Sequence, residues 1–237
     1  QEDDMFRKMD VTSSKTVFER NAIIAEQAVG ILDKYAPEDK GMLDSFAGRE
    51  ILTVEQYEAN AGQHDETMKK AYRLQELAKQ IGENSAVIPK LEQQMEALAP
   101  WKSFDLPLDF KGTKKSVAFI GSIQEEISLE QLREQLGALA PEAETIDLNI
   151  VSSSKEQTCL FIVCAKGDAD AVEDALKKLN FVKPPLSSLV PAKRQQQLEE
   201  ELSKVKAEIA GAEKAIADMA PDRDSIKFVM TLEIGRA

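Results

Sequence analysis

Aromatic residues are scarce in this chain: they make up 5% of its 237 residues, and Trp101 is the single tryptophan. A chain this poor in aromatics and 30% charged buries thin apolar seams on helices rather than one thick core. Histidine is scarcer still. His64 is the only one, so no second imidazole can complete a zinc site, and no Ser-His-Asp or Cys-His set can form away from it. The two cysteines, Cys159 and Cys164, sit five positions apart on an expected strand and so on opposite faces. They cannot easily pair or share a metal, and the simplest inference is a reducing, cytosolic compartment. No run of about eighteen apolar residues is present, so nothing in the sequence spans a membrane as a helix, and no signal peptide is visible. Positive charge is also in deficit. A net charge of −12 argues against a nucleic-acid binder, which needs a basic face to displace counterions, and against an anionic membrane surface. The acidic excess reads as solvated helix faces, with a basic partner as the other reading.

What the chain has is two heptad segments. The first runs Leu74, Leu77, Ile81, Ile88, Leu91, Met95 and Leu98, with Asn84 where one more apolar residue would fall. The second runs Leu198, Leu202, Val205, Ile209, Ala212, Ile216 and Met219. Steps of three and four put one narrow apolar seam on each helix. A seam flanked by charge suits one partner helix. Residues 101–190 separate the two segments, so the helices can return past each other as an antiparallel coiled-coil hairpin with a compact domain at its tip.

In chain order, Thr12, Ser13 or Ser14 is expected to cap a first helix. Its broad stripe of Val17, Ile24, Ala28, Ile31 and Tyr35, widened by Phe18, Val29 and Leu32, should face more than one neighbour and stop near Pro37. Residues 37–52 read as a loop. Thr53 and Gln56 form a capping box that opens a helix over 53–99, about 70 Å long at 1.5 Å per residue. Gly62 and Gly82 weaken that helix, and Pro89 should kink or divide it near Ala86. The 104–110 stretch alternates Phe104, Leu106, Leu108 and Phe110 with polar residues and Pro107, which predicts extended chain packed on one side.

The inserted region then reads as strand 116–121, a helix opened by the Ser128–Gln131 capping box, strand 146–150, and a nearly all-apolar strand 158–165. A helix from Gly167-Asp168 and a short edge strand at Phe181-Val182 follow. Strand, helix, strand, strand, helix, strand is the ferredoxin-like (βαββαβ) order. One face of such a sheet is left open by its helices, and the 104–110 segment is expected to cover it. Ser187 or Ser188 can cap the return helix, with Pro191 in its first turn and Pro221 interrupting it. The expected fold class is therefore α+β: a long antiparallel coiled-coil hairpin carrying a ferredoxin-like lobe. The divisions are 1–52, a partial second lobe; 53–100, the outgoing helix; 101–190, the inserted lobe; and 191–237, the returning helix.

Residues with chemistry in them do not assemble into a site on paper. His64, between Gln63 and Asp65, is expected on an exposed helix. Gly121-Ser122-Ile123 follows a strand but lacks the further glycines and Lys-Ser/Thr pair of a phosphate loop. Asp168, Asp170, Glu173 and Asp174 crowd a helix start, where acids complement the helix dipole. Arg133, Lys193 and Arg194 read as ordinary exposed charges. No catalytic, cofactor-binding or metal-ligating residue is assigned.

The phrase Leu91 to Leu108 (LEQQMEALAPWKSFDLPL) resembles a passage in the large membrane subunit of vacuolar-type and archaeal-type rotary ATPases, called a in eukaryotes and I in bacteria and archaea. The strand Val117 to Gly121 and the phrase Ile51 to Gln56 also look familial. The chain departs from that family's pattern in opening Gln-Glu-Asp-Asp, without the early strand, and in carrying neither a Gly-Trp-Val-Pro-like segment nor the membrane helices with the ion-path arginine. The resemblance implies a cytosolic piece of such a subunit, incomplete at both ends, on the cytoplasmic side of the membrane. It implies a non-catalytic stator arm of a proton- or sodium-translocating machine. Its partners would be the elongated E and G subunits of the peripheral stalks and the membrane half of the same subunit. It implies bending at Pro89 and Pro221, and carries over no cofactor and no catalytic residue. Two other readings stand beside it: a ligand-sensing or dimerising ferredoxin-like module on a coiled coil, and an acylphosphatase-type enzyme. The latter lacks an anion-cradling loop, because Gln124, Glu125 and Glu126 follow the first strand.

Overall fold

The computed structural model describes residues 2–38 and 54–236. It is an α+β protein of long helices and one small antiparallel sheet, and it divides into two units, 1–87 with 205–237, and 88–204. The expected 37–52 loop and the Thr53 capping box lie outside the described residues, apart from Pro37 and Glu38.

The first unit is helical. Helix α1 spans Glu2–Tyr35, α2 Val54–Gly62, α3 His64–Leu98, α6 Pro191–Asp218 and α7 Arg223–Arg236, with α3 and α6 contributing their 64–87 and 205–218 portions here. Helix α1 runs straight through Thr12, Ser13 and Ser14 instead of starting there. No proline or glycine interrupts 2–29, and hydroxyl residues are tolerated inside a helix at modest cost. Its apolar stripe is as broad as expected but shorter: Ile24, Ala25, Ala28 and Leu32 are buried and Val29, Ile31 and Tyr35 pack beside them, while Val17 is exposed.

These residues form one core with Met68, Ala71, Leu74, Leu77 and Ile81 of α3, Ala212 and Ile216 of α6, and Ile226 and Val229 of α7. Asn84 donates to Glu208 and Lys70 pairs with Asp222, so these parts of the chain run antiparallel. Asn84 thus holds its place in the first seam by bonding a carboxylate, as a polar residue in an apolar row must.

The expected 53–99 helix is two helices, broken at Gln63, whose carbonyl accepts from Thr67 N–H at 2.9 Å. Pro89 does not divide α3. Pro89 and Ser85 both face solvent, so water can take the carbonyl that proline leaves unbonded. Pro221 does interrupt the chain: α6 ends at Asp218 and α7 starts at Arg223 after a short 3₁₀ turn.

The second unit holds the sheet. Strands β1 (Ser116–Ile123), β2 (Ile146–Ser153) and β3 (Thr158–Ala165) lie in the order β1-β3-β2, all antiparallel neighbours. Helices α4 (Leu129–Leu139) and α5 (Ala169–Lys178) cover one face. Ser128 caps α4 through a complete capping box with Gln131. Leu132 and Leu136 of α4, and Val172, Ala175 and Leu176 of α5, pack on Leu160, Ile162 and Cys164.

A fourth strand does not form. Its place at the outer edge of β1 is taken by one bridge, Ser122 with Val182. Pro184 and Pro185, which lack donors, follow two residues later and stop a longer ladder. Gly121 is what lets this bridge close: a Cβ there would lie 2.4 Å from the Val182 carbonyl oxygen.

The other sheet face is covered by the chain itself. The 104–110 segment is a series of turns rather than extended chain, with Phe104 N–H bonded to Trp101 and Phe110 N–H to Pro107. These turns bring Phe104 to 5.2 Å and Phe110 to 6.4 Å from the ring of Phe161, centre to centre, and set Phe104 edge-on to Trp101 at 5.9 Å. Ser187 does not cap α6. Its hydroxyl bonds Leu189, and the first amides of α6 go to the Val190 carbonyl.

Candidate functional site

Most chemistry-bearing residues are occupied by structural tasks. Asp168 accepts from the Thr145 amide at 3.4 Å, and Glu173 and Asp174 each lie 3.4 Å from Lys177. Those partners hold the Lys177 ammonium above its ordinary range, Glu173 contributing most. Among the described residues, no group of three or more His, Cys, Asp or Glu could hold a metal ion. Arg133 and Lys193 are exposed, but Arg194 is half-buried and reaches Gln94 and Glu201.

Cys159 and Cys164 are free and buried on opposite sheet faces. Burial pushes both thiols up from their ordinary value, with the Asp168 charge adding to it at Cys164. Thiols held protonated in this way make poor nucleophiles.

His64 is not the exposed surface residue that its neighbours Gln63 and Asp65 suggest. Its Nε2 lies 2.8 Å from Oε1 of Glu233, a side chain with no solvent exposure at all. Asn21 donates to the other Glu233 oxygen at 3.1 Å, and Arg236 approaches at 3.4 Å. The three bonds tie α1, α3 and α7 through one carboxylate. Sequence reasoning missed Glu233. The signal was an acid at the three-and-four spacing of Ile226, Val229 and Met230, where an apolar residue belongs. Arg223 carries the same signal. It is buried to 3% exposure, pairs with Asp33 and Glu38, and donates to the Ala36 carbonyl at the end of α1. Both clusters fasten helices to one another.

A concavity with an apolar lining follows the outer edge of β1 in the sheet unit. Its volume is about 410 Å³, and its walls include Phe110, Phe119, Leu176 and Phe181, with Lys111 and Lys183 at the rim. The rungs of this edge are filled at Ser116, whose carbonyl accepts from Thr113 N–H at 3.0 Å, and at two further places. Ala118 N–H donates to the Lys111 carbonyl at 3.0 Å, and Ser122 exchanges two 2.8 Å bonds with Val182. Backbone groups of alternate residues point to the same side of a strand. Ile120, between those two, therefore turns its N–H and C=O to this edge, where no backbone group meets them. The Gly121-Ser122-Ile123 stretch thus works as a strand end and bridge, with no glycine-rich loop around it.

No helix among the described residues is long and apolar enough to cross a membrane. No protein-family model matches the chain, and no curated protein matches it. Its fold does match a solved structure, the crystal structure of the cytoplasmic N-terminal domain of subunit I, homolog of subunit a, of V-ATPase. The match covers 94% of this chain and 71% of that one, at a TM-score of 0.50 and 14% identity. The likeness is one of fold.

Proposed function

We propose that this chain is the cytosolic arm of a subunit of the a/I type and serves a rotary ATPase as a non-catalytic stator element. The observation that carries this reading is the fold likeness over 94% of the chain. Two features add to it. The Leu91–Leu108 phrase, which resembles the family, supplies the aromatic cover of the sheet through Phe104, backed by Trp101, so these residues have a structural reason to be there. The chemistry-bearing side chains fasten helices together, as a part that resists torque requires.

In this reading 53–100 and 191–237 are the outgoing and returning helices of a coiled-coil hairpin. Residues 101–190 form a ferredoxin-like lobe whose fourth strand has shrunk to the Val182 bridge, and 1–52 belong to a second lobe. The partners are the peripheral-stalk E and G subunits and the membrane half of the same subunit, and the arm works on the cytoplasmic side of a proton- or sodium-translocating complex.

A dimerising coiled-coil module is the weaker reading, because Leu74, Leu77 and Ile81 are already spent in the chain's own core with α1, α6 and α7. The test is association with a purified E–G heterodimer, followed by sedimentation of the full chain. A complex at micromolar concentrations is expected. No association at tens of micromolar, or a parallel self-dimer through 74–98, would sink the proposal.

A further inference from the structure

We infer that the groove on the outer edge of β1 is a docking site for an extended segment of another protein, one that alternates acidic and apolar side chains. The inference rests on the groove alone and does not depend on the rotary-ATPase reading.

Three observations define the occupant. The first is the open rung. The edge is bonded at Ala118 and at Ser122, and Ile120 between them has an N–H and a C=O with no backbone partner on that side. An accessible rung left unpaired can bond the backbone of an added extended segment, and those main-chain bonds would supply sequence-independent affinity. The second is the lining. The walls are apolar, and Leu186 and Val182 beside them are 76% and 49% exposed. Side chains on one face of an added strand would find apolar contact there.

The third is charge. Among the described residues, Lys111 and Lys183 on the rim make no ion pair, and Lys114 and Lys115 follow in the adjoining turn. This stands out in a chain of net charge −12. Of the two acids in the groove lining, Glu173 is engaged by Lys177, which leaves Asp109 as the remaining acid of that lining. The rim therefore favours carboxylates on the alternate side chains of the occupant. A volume of about 410 Å³ accepts a few residues of extended chain and is too small for a folded element.

The experiment uses the full chain and three synthetic hexapeptides with blocked ends: Asp and Val alternating, Lys and Val alternating, and a proline-substituted acidic peptide that cannot donate to a ladder. Amide hydrogen exchange at Ile120 and isothermal titration are read together. Saturable binding of the acidic peptide is expected, with slowed exchange at Ile120. The Lys111→Glu, Lys183→Glu double variant should bind it about tenfold more weakly, while its circular dichroism and unfolding midpoint match the parent. The proposal is overturned if the basic peptide binds equally well, if no peptide binds at millimolar concentration, or if the proline peptide protects Ile120 as fully as its parent. It is also overturned if Ile120 is already strongly protected in the free protein, because the rung would then be filled. Saturation by free glutamate at the same concentration would make the groove a small-carboxylate site and overturn the strand.

Discussion

His64 Nε2 and Glu233 Oε1 meet at 2.8 Å across 169 positions of sequence, and Glu233 is completely shielded from water. A buried carboxylate is tolerable only while its oxygens are bonded. His64→Ala removes one bond and leaves Asn21 and Arg236 to hold the charge. The expected loss is about 2–3 kcal/mol in urea unfolding. Glu233→Gln keeps an acceptor for Asn21 and removes the charge, so it should lose about 1 kcal/mol. Equal midpoints for His64→Ala and the parent protein would show that the cluster contributes nothing.

Arg223 closes the C-terminal end of α1 by donating to the Ala36 carbonyl and pairing with Asp33. Its own side chain is 3% exposed, whereas that of Asp33 is 62% exposed. The two partners should therefore respond unequally. Arg223→Ala is expected to lose about 3 kcal/mol, through the vacated volume and the unbonded carbonyl. Asp33→Asn should lose less than about 1 kcal/mol, as exposed ion pairs do. Thermal unfolding, with hydrogen exchange at Leu32 to Ala36, measures both.

Gly121→Ala should dislodge the segment that bridges to Ser122 through Val182. The new methyl would sit 2.4 Å from the Val182 carbonyl oxygen and 2.5 Å from the Phe181 ring. Because one of those contacts is backbone, the segment has to move. The two Ser122–Val182 bonds should open, with faster exchange at the Val182 amide and a loss of about 2 kcal/mol. Unaltered exchange at Val182 would contradict the close approach.

Phe104 shields the sheet face that the helices leave bare, its ring 5.2 Å from that of Phe161. Phe104→Ala should lose about 3–4 kcal/mol and expose apolar surface. A rise in binding of an apolar fluorescent dye, with near-native far-ultraviolet circular dichroism, is the expected signature. A variant that neither loses stability nor takes up the dye would show that the cover is dispensable.

Burial raises the Cys159 and Cys164 thiols above their ordinary value of 9.0. The folded chain then keeps protons that unfolded thiols release. Their contribution to stability is complete below that pH and declines as pH rises through the raised folded values. The unfolding midpoint should therefore fall above pH 9 more steeply in the parent protein than in a Cys159→Ala, Cys164→Ala variant. At neutral pH both thiols should resist alkylation until the chain is unfolded; prompt labelling of either in the native state would contradict their burial.

Local order was legible in the residues wherever one short-range rule decided it. Ser128 and Gln131 announced a helix start and formed it. The apolar run from Thr158 to Ala165 became the central strand, with the expected bounds. Pro221 ended a helix as a residue without a backbone donor should. Misreadings arose where surroundings outvoted the local signal. Pro89 left α3 undivided because its face is solvated, and Ser187 bonded a turn instead of the helix that follows. The 104–110 alternation marked which side chains go inward, although the backbone carries them there through turns.

By itself the sequence determined the α+β class and which heptad positions turn inward, because periodicity and capping act within a few positions of the chain. Only the tertiary structure decided that His64 belongs to a buried carboxylate, that Arg223 locks α1, and that Ile120 faces an unfilled edge. Each of these depends on groups brought together from distant parts of the chain, and burial and pairing, which set their chemistry, do not exist until the helices and strands have packed.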